Sequence, residues 1–62
     1  MESYYGVIYY KDGRKEETGN FSGPGADRSC ERETARRFEM KTKLAVSDYF
    51  KPTRYEVKVR KQ

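Results

Sequence analysis

The Asp12-Gly13 dipeptide constrains the fold most strongly, because it separates two runs of residues that are typical of β-strands. A two-residue type I′ hairpin turn needs positive φ at both central positions, and Asp-Gly tolerates that conformation. The sequence therefore predicts a β-hairpin, with strand 1 at residues 3–11 and strand 2 at residues 14–21.

A two-residue turn also predicts the register of the hairpin, and hence which side chains share each side of it. One side then pairs Tyr10 with Lys15, Ile8 with Glu17, Gly6 with Gly19 and Tyr4 with Phe21. The other side pairs Tyr9 with Glu16, Val7 with Thr18 and Tyr5 with Asn20. Apolar residues occupy both sides of strand 1, so the strand needs cover on two faces.

The segment SGPGAD at residues 22–27 predicts a loop, because its proline lacks a donor and its glycines oppose regular pairing. A helix follows, capped by Asp27 or Ser29 and running to about Val46 or Tyr49. Its apolar face carries Cys30, Thr34, Ala35, Phe38, Thr42, Ala45, Val46 and Tyr49, and its polar face carries Arg32, Arg36, Glu39 and Lys43.

Two further features of this helix follow from its spacing. Glu33 with Arg37, and Glu39 with Lys43, form ion pairs at i,i+4 in the favoured order. Met40 and Leu44 fall outside the apolar stripe, and we expect them either to be exposed or to contact a second chain.

Lys51 precedes Pro52, which disfavours helical geometry and ends the helix. The sequence TRYEVKVRK then alternates, with Tyr55, Val57 and Val59 on one side and Arg54, Glu56, Lys58 and Arg60 on the other. The element order β-β-α-β predicts an α+β fold: residues 1–62 form a single domain in which a three-stranded antiparallel sheet, in the order 2-1-3, carries one helix on one face.

The alternation also predicts which residues face the helix. We place Tyr4, Ile8, Tyr10 and Phe21 there with the apolar side of strand 3, while the reverse choice exposes Ile8 and Phe21 instead. Either arrangement leaves an aromatic patch uncovered, and such patches are typical of contact sites. The predicted contact residues on the open side are Tyr5, Val7, Tyr9, Arg54, Lys58 and Arg60.

Chemistry-bearing motifs are scarce in this chain. It has no histidine and one cysteine, so an intramolecular disulfide is excluded and a tetrahedral zinc site lacks its usual ligands. Cys30, Glu16 and Glu17 have no catalytic partner at a recognisable spacing, and Cys30 on the apolar helix face suits a small buried hydrophobe. The glycine-rich loop fits a flexible connection better than a phosphate site. We therefore predict no enzyme, no cofactor, no metal and no small-molecule substrate.

The predicted open face can be interpreted in three ways. It can be an ordinary surface, because a tyrosine phenol needs only one polar neighbour and tyrosines tolerate partial exposure. Tyrosines beside Arg and Lys can stack unpaired bases of RNA or single-stranded DNA while the cations neutralise phosphates. The same residue types also dominate protein interfaces, and two copies of this chain can cover each other, giving a homodimer. We favour a protein partner and self-association, with nucleic-acid binding as the alternative.

Charge and cysteine content bear on the setting of the protein. The net charge is +4, with four cations and one carboxylate in residues 52–62, which permits an acidic partner without requiring one. A single thiol suits a reducing compartment, and the N-terminus has neither a signal peptide nor a membrane-spanning stretch. We expect a cytoplasmic protein that does not enter membranes.

The segment YYGVIYYKDGRKEETG predicts a hairpin and TRYEVKVRKQ predicts the last strand. In this order of elements the chain resembles the many short β-β-α-β proteins encoded by phages and mobile elements. The resemblance covers nearly the whole chain but includes no diagnostic motif. It implies a small regulatory module that binds a host enzyme or a nucleic-acid complex.

Overall fold

The computed structural model describes residues 2–61 and has the predicted α+β architecture. The elements in chain order are β1 (Glu2–Tyr10), β2 (Lys15–Glu17), α1 (Ala26–Leu44), a short 3₁₀ helix (Asp48–Phe50) and β3 (Pro52–Lys61). The sheet is antiparallel in the order β2-β1-β3, as predicted, and α1 packs across one of its faces.

The hairpin turn differs from the predicted type I′ turn. The loop holds three residues, since the Tyr10 N–H donates to the Arg14 carbonyl at 2.9 Å and the Gly13 N–H donates to the Tyr10 carbonyl at 3.1 Å. Gly13 has φ 93°, whereas Asp12 does not adopt positive φ. The side chain of Asp12 instead accepts the Arg14 N–H at 3.0 Å, which stabilises this alternative turn.

The longer loop shifts the register of β2 by one residue. Val7 pairs with Glu17, Ile8 with Glu16 and Tyr9 with Lys15, so the predicted pairs along β2 are wrong. One extra residue lies between Thr18 and Phe21, where the Thr18 hydroxyl accepts the Gly6 N–H at 2.9 Å in a bulge-like interruption. Tyr4 then pairs with Phe21 as predicted, and regular β2 is limited to three residues.

The helix begins and ends earlier than predicted. Gly25, at φ 74°, occupies the N-cap position, so neither Asp27 nor Ser29 caps the helix. Its last residue is Leu44, and Ala45 is already extended. The chain then turns through the short 3₁₀ helix Asp48–Phe50 and enters β3, where Pro52 pairs with Tyr10.

The core lies between α1 and the sheet. Ile8, Tyr10, Cys30 and Thr34 are buried there, and the ring of Phe38 contacts that of Tyr55 with centroids 5.3 Å apart. The predicted helix-facing set on β1 and β3 is therefore correct. Val46 and Tyr49, predicted on the apolar helix face, lie beyond the end of α1 and are exposed.

Candidate functional site

The sheet face opposite α1, here called the open face, contains all six of the predicted contact residues. Tyr5, Val7 and Tyr9 of β1 lie directly opposite Lys58, Glu56 and Arg54 of β3, and residues paired in this way share one face. The register shift adds Lys15 and Glu17 of β2 to the same face, where Glu16 and Thr18 were predicted. Whether a partner contacts this surface stays a prediction.

Two arginine side chains of the open face lie over the tyrosine rings of the same face. The guanidinium of Arg54 lies 3.9 Å from the centre of the Tyr9 ring, and that of Arg60 lies 4.2 Å from the centre of the Tyr5 ring. Beneath these side chains Val7 is only 2 % exposed. Cation–π contacts of this kind stabilise the free protein, and a base that stacked on the same side of either ring would have to displace an arginine.

A hydrogen bond and several ion pairs connect charged side chains of the open face. The Tyr9 hydroxyl donates to Glu56, and Lys58 lies 3.4 Å from the same carboxylate. The bond from Tyr9, together with the Lys58 cation, holds the pKa of Glu56 below its ordinary value. Arg60 reaches across β1 to Glu17 at 3.3 Å. Each of these exposed pairs contributes little to stability.

A cluster of exposed apolar side chains lies elsewhere, in a groove of about 600 Å³ between the hairpin loop, the C-terminal half of α1 and the 3₁₀ helix. We call it the apolar groove. Its apolar lining comprises Tyr10, Met40, Leu44, Ala45 and Phe50. Leu44 is 72 % exposed, Met40 51 % and Phe50 47 %, so apolar side chains that a core would normally bury face solvent together.

Charged residues surround the apolar groove. Four cations line it, Arg14, Arg36, Arg37 and Lys41, with two carboxylates, Glu16 and Glu33. Glu33 pairs with Arg37 at 2.8 Å and with Arg36 at 3.4 Å, and these two guanidinium groups hold the pKa of Glu33 below its ordinary value. The lining therefore carries a net positive charge.

Tyr10 and Glu16 form the wall of the groove on the sheet side. The Tyr10 hydroxyl donates to Glu16, which also lies 3.7 Å from Lys41. Burial, reinforced by this bond, raises the pKa of Tyr10 to about 12. Glu16 reaches this position only because of the register shift, which moves it from the open face to the helix side of the sheet.

Sequence reasoning identified part of this groove. Met40 and Leu44, predicted to fall outside the apolar stripe, are exposed in the single chain. Whether a second chain contacts them stays a prediction. The contributions of Phe50 and Glu16 were missed, since one depends on a 3₁₀ helix without a sequence signature and the other on the loop length of the hairpin.

Other candidate sites are weak. Cys30 is fully buried, with Sγ 3.9 Å from the Thr34 hydroxyl, as expected of a small hydrophobe. Within residues 2–61, histidine, cysteine and carboxylate side chains form no cluster of three that could hold a metal ion. In that same range the structure contains no helix with the length and hydrophobicity needed to cross a bilayer.

Comparisons of this protein with family models, with curated proteins and with solved structures give no match.

Proposed function

We propose that this protein is a non-enzymatic binding module that acts by occupying the surface of a protein partner. The observation that carries the proposal is the clustering of Met40, Leu44 and Phe50, each about half exposed or more, in one groove. Folding gains about 25 cal/mol for each Å² of apolar surface that it removes from water, and these side chains leave much of that gain unused. A partner that covered them would recover it.

Self-association is part of the proposal, through the outer edge of β3. Within the described residues β3 pairs only with β1, so the backbone groups along its other edge have no strand partner. Val59 on this strand is 48 % exposed although it points to the helix side of the sheet. A second copy paired along β3 would satisfy the edge and cover Val59. Sedimentation at micromolar concentrations should then detect a dimer, and a Val57→Pro variant should be monomeric. A wild-type protein that stays monomeric would contradict this part of the proposal.

The cellular location and the origin of the protein are also part of the proposal. The thiol of Cys30 is unpaired and buried, which suits a reducing compartment, and we propose a cytoplasmic location. Because of the order of its elements, we also propose that a phage or mobile element encodes the protein.

Nucleic-acid binding by the open face is the alternative, supported by the alignment of Lys15, Arg54, Lys58 and Arg60 on one surface. Glu17 and Glu56 lie among these cations, and two of the cations already cover tyrosine rings. We therefore rank a protein partner first.

Two measurements test this ranking. An environment-sensitive apolar dye should bind the native protein at the apolar groove, and Leu44→Gln should abolish most of the fluorescence increase. Single-stranded RNA and DNA should bind weakly, whereas a true nucleic-acid site would show affinity that falls with salt by a log-log slope of about −0.7 per neutralised phosphate. Steep salt dependence that is lost in an Arg54, Lys58 and Arg60 triple glutamine variant would favour the alternative and contradict our proposal.

A further inference from the structure

We propose that the apolar groove takes an acidic amphipathic segment of the partner, about two helical turns long, and this inference rests on the proposed protein-binding function. The segment would place apolar side chains on Met40, Leu44 and Phe50 and carboxylates beside the surrounding cations. Helix-in-groove recognition combines the same two kinds of contact.

The layout of α1 supports this choice of partner. Arg37, Met40 and Leu44 follow one another at i, i+3 and i+7, so they lie on one side of the helix. Arg36 and Lys41 flank that row, with half or more of each side chain exposed. From Arg37 to Leu44 the helix rises about 10 Å, which matches two turns of a second helix. Basic and apolar contacts are therefore arranged in sequence along the groove.

The charge of the lining selects against two other occupants. A second copy of this chain carries a net charge of +4, and a symmetric interface at this groove would bring the same cations together from both sides. A nucleic acid would neutralise Arg36 and Lys41 but would leave the apolar floor of Met40, Leu44 and Phe50 without apolar contacts. An acidic segment with apolar side chains satisfies both parts of the surface.

The volume of the groove is consistent with such a ligand. About 600 Å³ lies within the range of about 300–1,000 Å³ that binding clefts usually span. It accommodates a few large side chains and not a whole domain, so we expect two or three apolar residues of the segment to enter it.

A pair of synthetic helical peptides tests the inference. Both carry leucine at i, i+3, i+4 and i+7, and the remaining exposed positions are glutamate in one peptide and lysine in the other. Each peptide is titrated into the isotope-labelled full-length protein. The acidic peptide should shift the amide resonances of the residues that line the groove. We expect the lysine peptide to bind at least tenfold more weakly, and the difference between the two to shrink as salt is added.

Matched variants assign the binding to the groove. Leu44→Gln should weaken the acidic peptide about tenfold, because burial of one leucine is lost. Val46→Gln is the control, since Val46 is 89 % exposed and does not line the groove. The double variant R36Q/K41Q should lower the affinity severalfold, whereas R28Q/R32Q, with the same net charge, should change it little.

Three outcomes of the peptide titrations would overturn the inference: no binding of the acidic peptide, equal binding of the lysine peptide, or resonance shifts confined to the open face or to β3. A dimer whose interface includes Leu44 would overturn it too, by making a second copy the occupant. If the acidic peptide does not bind but the apolar dye does, and Leu44→Gln abolishes the binding of the dye, only the proposed acidic chemistry of the partner is wrong. Failure of both would contradict the proposed function as well.

Discussion

Gly6 on β1 lies directly under Thr34 of α1, so close that a methyl group at Gly6 would sit 1.8 Å from the Thr34 hydroxyl oxygen. Thr34 is fully buried and donates to the Cys30 carbonyl at 2.7 Å, which holds its side chain in place. This contact sets how closely the helix approaches the sheet, and the absence of a side chain at Gly6 is a requirement of packing.

Gly6→Ala should therefore destabilise the protein by about 1–3 kcal/mol, the usual cost of overpacking a well-filled core. Denaturant unfolding measures the effect. Gly19→Ala is the matched control, because a methyl group there would meet no atom within 4 Å. Adding Thr34→Ala should recover part of the loss, since the nearest Thr34 atom would then be Cβ at 2.7 Å. Equal stability of Gly6→Ala and wild type would show that the helix does not seat on Gly6.

Arg54 and Arg60 should contribute to stability as well as to the surface charge. Replacing both with glutamine removes two cation–π contacts and should cost about 1–2 kcal/mol, taking about 0.5–1 kcal/mol for each. The control R28Q/R32Q removes the same charge from α1 and should change the unfolding midpoint much less. If the two double variants unfold alike, the arginines do not cover Tyr5 and Tyr9 in solution.

The hydrogen bond from Tyr9 to Glu56 predicts that the free energy of unfolding decreases at low pH. The pKa of Glu56 is lowered in the folded state, so its contribution is present above the ordinary glutamate pKa of 4.5 and is lost as the pH falls through the folded value. Tyr9→Phe removes the hydrogen bond that contributes most to lowering the pKa of Glu56. The carboxyl-carbon resonance of Glu56 should therefore titrate at higher pH in this variant. An unchanged Glu56 titration would mean that the bond does not form.

The raised pKa of Tyr10 predicts that the free energy of unfolding also decreases at high pH. Its pKa rises from 10.0 to about 12 in the folded state, so its contribution is complete below pH 10 and is lost as the pH rises to about 12. Wild type should lose stability across this interval more steeply than Tyr10→Phe. Phenolate absorbance should show one late-titrating tyrosine that the variant lacks. Parallel stability profiles would contradict the burial of this hydroxyl.

Cys30 should react with alkylating reagents only when the protein unfolds, because the residue is 0 % exposed. The labelling rate should fall to a small fraction of that of the denatured protein. In Gly6→Ala it should rise by the same factor as the unfolding equilibrium constant, about tenfold for each 1.4 kcal/mol of lost stability. A C30A variant with Cys placed at Leu44 should instead label rapidly in the native state. Fast labelling of native wild type would place the thiol at the surface and reopen a reactive role.

Much of the fold could be predicted from the sequence because the signals are local. Alternation in TRYEVKVRK assigns Tyr55 to the helix side, and the apolar stripe of α1 assigns Cys30 and Thr34 to the core. The order of elements and the central position of β1 follow from the same short-range patterns. The face of β1 that packs on α1 does not, because apolar residues occupy both sides of that strand, and two arrangements stayed open. The six predicted open-face residues do share one surface, although Val7 is buried within it.

What the sequence by itself determined is therefore the set of elements and the alternating faces of β3 and α1. The tertiary structure decided which face of β1 packs on the helix, since Gly6 lies against Thr34. Only the tertiary structure decided the hairpin register, because Asp12-Gly13 is compatible with a two-residue and a three-residue loop and the choice depends on packing around it. That choice moved Glu16 to the groove and Glu17 to the open face. The apolar groove likewise depends on where α1 stops and on how the chain then turns into β3. No local pattern encodes a surface that the hairpin loop, α1 and the 3₁₀ helix build together.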